Sequence, residues 1–187
     1  MIWATVLALL PAAPAQDAKP RSPIDIENST LTVRVFKSGL LSAFGHEHEI
    51  RAPIEQGFFS LDPPSAELTV DARKLRVLDP GVSEHDRSEI QNTMLGPKVL
   101  DSDAFPEIQF QSSSAIRQTG NKWLVSGNLT LHGQTRPVQL VLEAKDGHYR
   151  GQSVLKQTDF AITPVVVAGG AVRVKNEIRV EFDVVGK

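Results

Sequence analysis

The chain has 187 residues, of which 41% are hydrophobic, a length and composition that suit one domain with a sizeable core. Its 20 Lys and Arg nearly balance its 22 Asp and Glu. This balance argues against a nucleic-acid partner, because nucleic-acid binders usually carry a basic excess on one face. The absence of cysteine excludes disulfides, thiolate metal sites and cysteine nucleophiles.

Residues 1–15 have the pattern of a signal peptide. An apolar run from Ile2 to Leu10 is too short to span a bilayer, and residues 13–15 form a small-x-small cleavage pattern. The alternative is an N-terminal tail that is disordered or associated with lipid. We predict a linker over residues 16–23 and a folded domain over 24–187. No later run is long and apolar enough to cross a membrane, so we expect the domain to be periplasmic or secreted.

Apolar and polar residues alternate over six runs of the domain, which predicts strands with one buried and one wet face. The apolar positions of these runs are Leu31, Val33 and Val35; Ala66, Leu68 and Val70; Ile108 and Phe110; Trp123, Val125, Leu129 and Leu131; Val138, Leu140, Leu142 and Ala144; and Ile178, Val180, Phe182 and Val184. Turn pairs such as His132-Gly133 and Asp146-Gly147 separate the later runs. We predict about eight strands, the number that closes an antiparallel up-and-down barrel able to hold one small ligand. An open sandwich is the structural alternative.

One segment, Ser83 to Leu100, has a helical pattern instead. Ser83 is a suitable N-cap with acidic residues in the turn that follows, and Ile90 and Met94 share one face. The Gly-Pro pair at residues 96–97 is expected to end the helix. We predict a short helical insertion that covers or plugs one end of the barrel.

A second unusual segment carries two histidines, at residues 46 and 48. If residues 44–51 form a strand, the charged residues at alternate positions are expected to face water. The residues between them face the interior, and these are Phe44, His46, His48 and Ile50. Two imidazoles on one strand face lie close enough to share a ligand or a metal ion.

Three interpretations of the histidine pair remain open. The first is a pair of neutral histidines, hydrogen-bonded within a mostly apolar cavity. The second is a polar contact with the head group of a ligand, because apolar pockets commonly use a few polar groups to fix orientation. The third is a metal site, which needs further ligands. The candidates for those ligands are His85, Asp86, His132 and His148, by residue type only.

Catalysis has little support in the sequence. The chain contains no Gly-x-Ser-x-Gly motif, no His-Glu-x-x-His motif and no glycine-rich phosphate loop between a strand and a helix. We therefore predict no catalytic residues and no required cofactor.

The chain resembles the YceI-like family over roughly Ile24 to Val185. The most specific match is the segment 127–138, Gly-Asn-Leu-Thr-Leu-His-Gly-Gln-Thr-Arg-Pro-Val, and the segments 38–50, 94–112 and 158–162 also carry the resemblance. Two residues differ from the usual pattern: Ala161 stands where glycine is usual, and Gln157 stands where a basic residue is common. The resemblance implies a bacterial periplasmic or secreted protein with a lipocalin-like barrel that binds lipids or polyisoprenoids.

From the strand pattern and the resemblance together, we expect an apolar, chain-like ligand of the isoprenoid quinone, polyprenyl or fatty-acid type inside the barrel. The predicted ligand-binding residues are Phe44, His46, His48, Ile50, Leu68, Val70, Ile108, Phe110, Gly127, Leu129, Leu140, Leu142, Phe160, Val180 and Phe182. Small inward residues are expected to leave room for the ligand, among them Ala66, Gly127, Ala144, Gly151 and Ser153. The alternatives are a metal-binding protein or metal-dependent enzyme built on His46 and His48, and an interaction protein whose cavity is incidental. The pattern carries no signal for an oligomeric state.

Overall fold

A computed structural model of the chain describes residues 21–38, 47–167, 169 and 172–187. Before the helix lie β1 (Ser22–Pro23), β2 (Thr30–Ser38), β3 (His48–Arg51), β4 (Ile54–Leu61), β5 (Pro64–Asp71) and β6 (Arg76–Val77). The helix is α1 (Glu84–Leu95). After it come β7 (Glu107–Arg117), β8 (Lys122–Leu131), β9 (Gln134–Lys145), β10 (His148–Lys156), β11 (Val166–Val167) and β12 (Val172–Val185). Short 3-10 helices lie at Ala72–Lys74 and Gln157–Phe160.

The predicted signal peptide lies outside the described residues, as does most of the predicted linker. The linker's last two residues form β1, in which Ser22 and Pro23 pair with Phe59 and Phe58 of β4. None of the helices in the described ranges has both the length and the apolar character needed to cross a membrane.

The strands form one antiparallel sheet that curls into a half-barrel. Eleven strands follow the path β1-β4-β5-β7-β8-β9-β10-β12-β2-β3-β6, and β11 pairs with β12 outside this path. The first long strand, β2, pairs with the last, β12, which brings the two halves of the chain together. The all-β antiparallel barrel class is therefore confirmed.

The predicted number of eight strands is wrong, because twelve are found within the described ranges. Eight of them contain eight residues or more. The other four, β1, β3, β6 and β11, contain two to four residues each. Such short strands do not produce an alternation long enough to be recognised in the sequence.

Two of the predicted turns close hairpins with two-residue loops. His132 and Gly133 join β8 to β9 with φ of 50° and 68°, and Asp146 and Gly147 join β9 to β10 with φ of 52° and 79°. Two successive positive φ values are typical of the type I′ turn, whose twist matches that of the flanking strands.

The predicted helix is confirmed, with a shorter span than the sequence pattern suggests. Ser83 caps its start, because the Ser83 hydroxyl accepts a hydrogen bond of 3.1 Å from the Asp86 N–H. Gly96 ends the regular helix, and its N–H bonds to the Asn92 carbonyl at 3.0 Å. Met94 is buried and Ile90 packs against the same core, so the face that these two residues share is the inner face of the helix.

Candidate functional site: an apolar cavity

The inner face of the curled sheet encloses a cavity of about 310 Å³. Each of the eight long strands contributes side chains to its lining, and the lining residues are overwhelmingly aliphatic or aromatic. Inward side chains alternate with outward ones along each strand, so the runs that predicted the strands also supply the lining. The volume lies at the lower end of the roughly 300–1,000 Å³ that is usual for small-molecule pockets.

Most of the residues predicted to contact a ligand lie on this cavity. Of the fifteen, eleven line it: Ile50, Leu68, Val70, Ile108, Phe110, Leu129, Leu140, Leu142, Phe160, Val180 and Phe182. Phe44 and His46 lie outside the described residues. The remaining two, His48 and Gly127, are described but do not belong to the lining.

Gly127 faces inward, but the space beside it is filled. A Cβ atom at this position would lie 2.6 Å from the ring of Phe110 and 2.5 Å from the Gln111 carbonyl oxygen. Gly151 has the same arrangement, because its Cβ would lie 2.7 Å from the ring of Phe182. The expectation that these small residues leave room for a ligand is therefore wrong: each glycine accommodates a phenylalanine ring from the neighbouring strand.

The other small residues that were expected to face the cavity divide into two groups. Ala66 and Ser153 line it, whereas Ala144 does not. Ala144 lies near the end of β9, opposite Tyr149, and the larger Tyr149 side chain belongs to the lining there.

His48 has the inward parity that the sequence predicted, since it pairs with Val35 of the lining. Its imidazole does not reach the cavity. His48 Nδ1 lies 2.6 Å from an oxygen of Asp79, and the other oxygen of Asp79 accepts the Glu49 N–H at 2.8 Å. The residues that alternate with His48 along β3 face water as predicted. Arg34 forms ion pairs on that outer side with Glu49 and Glu181, at 2.9 and 2.8 Å.

One end of the cavity is covered by α1 and the turn that follows it. Met94, Val99 and Leu100 line the cavity from this side. Phe160 closes the same end and is only 2% exposed. The Phe160 carbonyl lies 3.0 Å from His132 Nδ1, which joins the 3-10 helix to the β8–β9 turn. The predicted role of the helix as a cover for one barrel end is confirmed.

The opposite end of the cavity reaches solvent at the β4–β5 turn. Leu61 lines the cavity there and is nevertheless 64% exposed. Phe59 and Tyr149 lie beside this opening, with ring centroids 5.1 Å apart. Burial raises the pKa of the Tyr149 phenol above its usual value, so the phenol stays uncharged to a higher pH than that of an exposed tyrosine.

Several lining residues were not predicted as ligand contacts. Trp123, Leu31, Val33 and Val35 share the inward parity of recognised strands, so extending the prediction along each run would have included them. Tyr149 was not recognised, because the alternation is weak at the start of β10.

The other described histidines, His85, His132 and His148, do not join His48. His148 lies on the outer face, where its Nδ1 contacts Asp183 at 2.7 Å and Arg150 binds the other carboxylate oxygen at 2.8 Å. Burial of Asp183 opposes ionisation, but hydrogen bonds from His148 and Arg150 outweigh it and lower the pKa of this carboxyl.

His85 lies in an exposed group with Asp86 and Glu89 on α1. Within the described ranges, this is the one cluster of three side chains of the types that can bind a metal ion. The metal alternative at His46 and His48 stays a prediction.

The sequence of residues 23–186 matches the family model of the YceI-like domain. The chain belongs to the YceI-like family. No curated protein sequence matches it.

Solved structures show the same fold as this YceI-like chain. The crystal structure of BcnA from Burkholderia cenocepacia is 20% identical, with a TM-score of 0.66, and the match covers 88% of this chain and 99% of BcnA. The crystal structure of the Campylobacter jejuni YCEI protein is 14% identical, with a TM-score of 0.52, and the match covers 74% of this chain and 81% of the other.

Proposed function

We propose that this YceI-like protein binds an apolar, chain-like molecule in its cavity and carries or sequesters it without chemical change. The guest belongs to the isoprenoid quinone, polyprenyl or fatty-acid class. The observation that supports this most directly is the cavity of about 310 Å³ with an almost wholly apolar lining and an opening beside Leu61. Each methylene group removed from water contributes about 0.8 kcal/mol, before the cost of ordering the chain.

Two polar residues of the lining, Gln157 and Ser153, hydrogen-bond to the backbone of the barrel wall. Gln157 donates its amide N–H to the Lys175 carbonyl at 2.8 Å, and the Ser153 hydroxyl donates to the Gln139 carbonyl at 2.9 Å. Both side chains are thus committed to holding the wall of the barrel. A chain-like guest held by its apolar surface needs no reacting group from the protein.

The proposed location is the periplasm or the exterior of the cell. The signal-peptide pattern of residues 1–15 and membership of the YceI-like family support it. Fractionation of the native host should recover the processed chain outside the cytoplasm, and recovery of the unprocessed chain inside it would contradict this location.

The binding proposal is tested by extracting the protein purified from its native host with organic solvent and identifying the extract by mass spectrometry. The control compares two variants on one strand. Leu140→Trp fills the cavity, whereas Val141→Trp adds the same ring on the outer face, where Val141 is 51% exposed. We expect lipid from the parent protein and from Val141→Trp, and little from Leu140→Trp. Equal recovery from both variants, or no lipid from the parent, would contradict the proposal.

A further inference from the structure

The wall of the barrel is split between β9 and β10. The two strands pair from His148 and Lys145 to Gln152 and Val141, and their ladder ends there. Both strands continue beyond this point, β9 back to Gln134 and β10 on to Lys156. The hydrogen bond of 2.9 Å from the Ser153 hydroxyl to the Gln139 carbonyl spans the split.

A polar groove of about 600 Å³ lies over this split on the outer face of the sheet. It shares four lining residues with the apolar cavity, namely Val138, Leu155, Lys156 and Phe160. The cavity and the groove are therefore separated there by a single layer of side chains. Away from these residues the groove is lined by polar residues such as Ser126, Asn128 and Gln139, together with Pro137 and Val154.

Two cationic side chains lie at the groove, Arg136 and Lys156, together with one carboxylate, Asp159. Among the described residues, the Arg136 guanidinium bonds two neutral oxygens, the Thr135 carbonyl at 2.9 Å and the Gln134 amide oxygen at 3.1 Å. The ammonium group of Lys156 makes no ion pair or hydrogen bond within the described part of the chain, and Glu177 is its cross-strand neighbour. Of the charged side chains that line the groove itself, the two cations outnumber the one carboxylate, and both cations have unused hydrogen-bond donors.

We propose that the split is a side portal, and that Lys156 and Arg136 bind the anionic head group of the guest, a carboxylate or a phosphate, in the outer groove. This inference rests on the proposed function, because it requires the chain of the guest to occupy the cavity. A charged head group drawn into the apolar cavity would lose its hydration at a cost of several kcal/mol. Passage between Val138 and Leu155 keeps the chain in apolar contact and leaves the head group among water and cations.

The test uses fluorescence quenching of Trp123, which lines the cavity. The chain has two tryptophans, so a Trp3→Phe background leaves Trp123 as the only one. The probes are dibrominated stearic acid and the corresponding dibrominated alcohol, which share one chain and differ in head-group charge. A second measurement displaces the bound acid with farnesyl phosphate or with farnesol. Stronger displacement by farnesyl phosphate would indicate that the site recognises a phosphate, and equal displacement by both would indicate recognition of the carboxylate alone.

In this background, Lys156→Glu and Arg136→Glu should each raise the Kd for the acid by at least roughly fivefold. The Kd for the alcohol should not change, and added salt should reduce the difference. The matched control is Lys145→Glu, an exposed lysine at the end of β9 near Tyr149 and the other opening. It should leave both Kd values unchanged.

The outcomes separate the portal from the proposed function. If Trp123 is quenched but Lys145→Glu alone weakens the acid, the head group lies at the opening beside Leu61 and the side portal is wrong. Equal weakening of the acid and the alcohol by both Lys156→Glu and Arg136→Glu would also overturn the portal, since neither cation would then distinguish the charged head group from the neutral one. Absence of quenching in the parent background would overturn the proposed function and the portal together.

Discussion

His48 and Asp79 form the most buried polar pair of the described barrel, with His48 Nδ1 2.6 Å from the Asp79 carboxylate. Asp79 is 2% exposed, and its second oxygen accepts the Glu49 N–H at 2.8 Å. The carboxylate thus ties the loop after β6 to both the backbone and a side chain of β3. The outer pair of His148 and Asp183 has the same chemistry, but its side chains are 35% and 29% exposed.

Asp79→Ala should lower the free energy of unfolding by about 2 kcal/mol, because it leaves a partly buried N–H and a partly buried imidazole without their acceptor. Asp183→Ala, which breaks the more exposed pair, should cost less than about 1 kcal/mol. Urea unfolding of both variants measures the difference. Equal costs would show that burial does not set the strength of these pairs.

Gly127→Ala should destabilise the protein by about 1–3 kcal/mol, because its Cβ would meet the Phe110 ring and the Gln111 carbonyl. In a Phe110→Leu background the same substitution should cost less, since the flat ring no longer covers the glycine. Unfolding free energies of the parent, both single variants and the double variant give the coupling. If the destabilisations of the two single variants simply add in the double variant, the contact between a Cβ at residue 127 and the Phe110 ring is contradicted.

Much of the barrel could be predicted from the sequence because inward and outward residues alternate along each long strand. The helix could be predicted because its cap and its apolar face lie close together in the chain. The partner of His48 could not, since Asp79 lies 31 residues further on in a loop that follows no periodic pattern. The split between β9 and β10 was equally hidden, because the alternation continues through both strands after their pairing ends. Which strands pair, and for how long, depends on contacts that a local pattern does not contain.

Ala161→Gly should stabilise the protein by up to about 1 kcal/mol. Ala161 has φ of 59° and ψ of 21° at the end of the 3-10 helix, a left-handed conformation that costs non-glycine residues roughly 1–2 kcal/mol. The greater freedom of glycine in the unfolded chain offsets part of this gain. The control is Ala104→Gly, at an exposed alanine outside the positive-φ residues, which should be neutral or mildly destabilising. Thermal unfolding of both variants checks the sign, and destabilisation by Ala161→Gly would contradict it.

Asp71→Asn should make the free energy of unfolding depend less on pH in the acid range. Hydrogen bonds from the Arg73 side chain, opposed in part by burial, lower the pKa of Asp71 from 3.8 to about 2. A carboxyl with a lowered pKa stabilises the fold above its unfolded pKa, and this contribution is lost as the pH falls from about 4 to about 2. Arg73 is largely exposed, so screening limits the effect to about 1 kcal/mol or less. Urea unfolding of the parent and of Asp71→Asn at about pH 5 and pH 2 measures this effect. If the unfolding free energy changes by the same amount between the two pH values in both proteins, the ion pair does not contribute.

Met94→Ala should lengthen the cavity toward α1 and shift the bound guests to longer chains. Met94 lines the closed end and is 7% exposed, so its truncation should also cost about 2–4 kcal/mol of stability in the guest-free protein. Ile90→Ala is the matched control, because Ile90 packs one turn earlier on the same helix face but does not line the cavity. It should destabilise the protein without changing the chain lengths recovered by extraction and mass spectrometry. The same chain lengths from Met94→Ala and the parent would mean that guests do not reach this end, and that their length is set nearer the opening at Leu61.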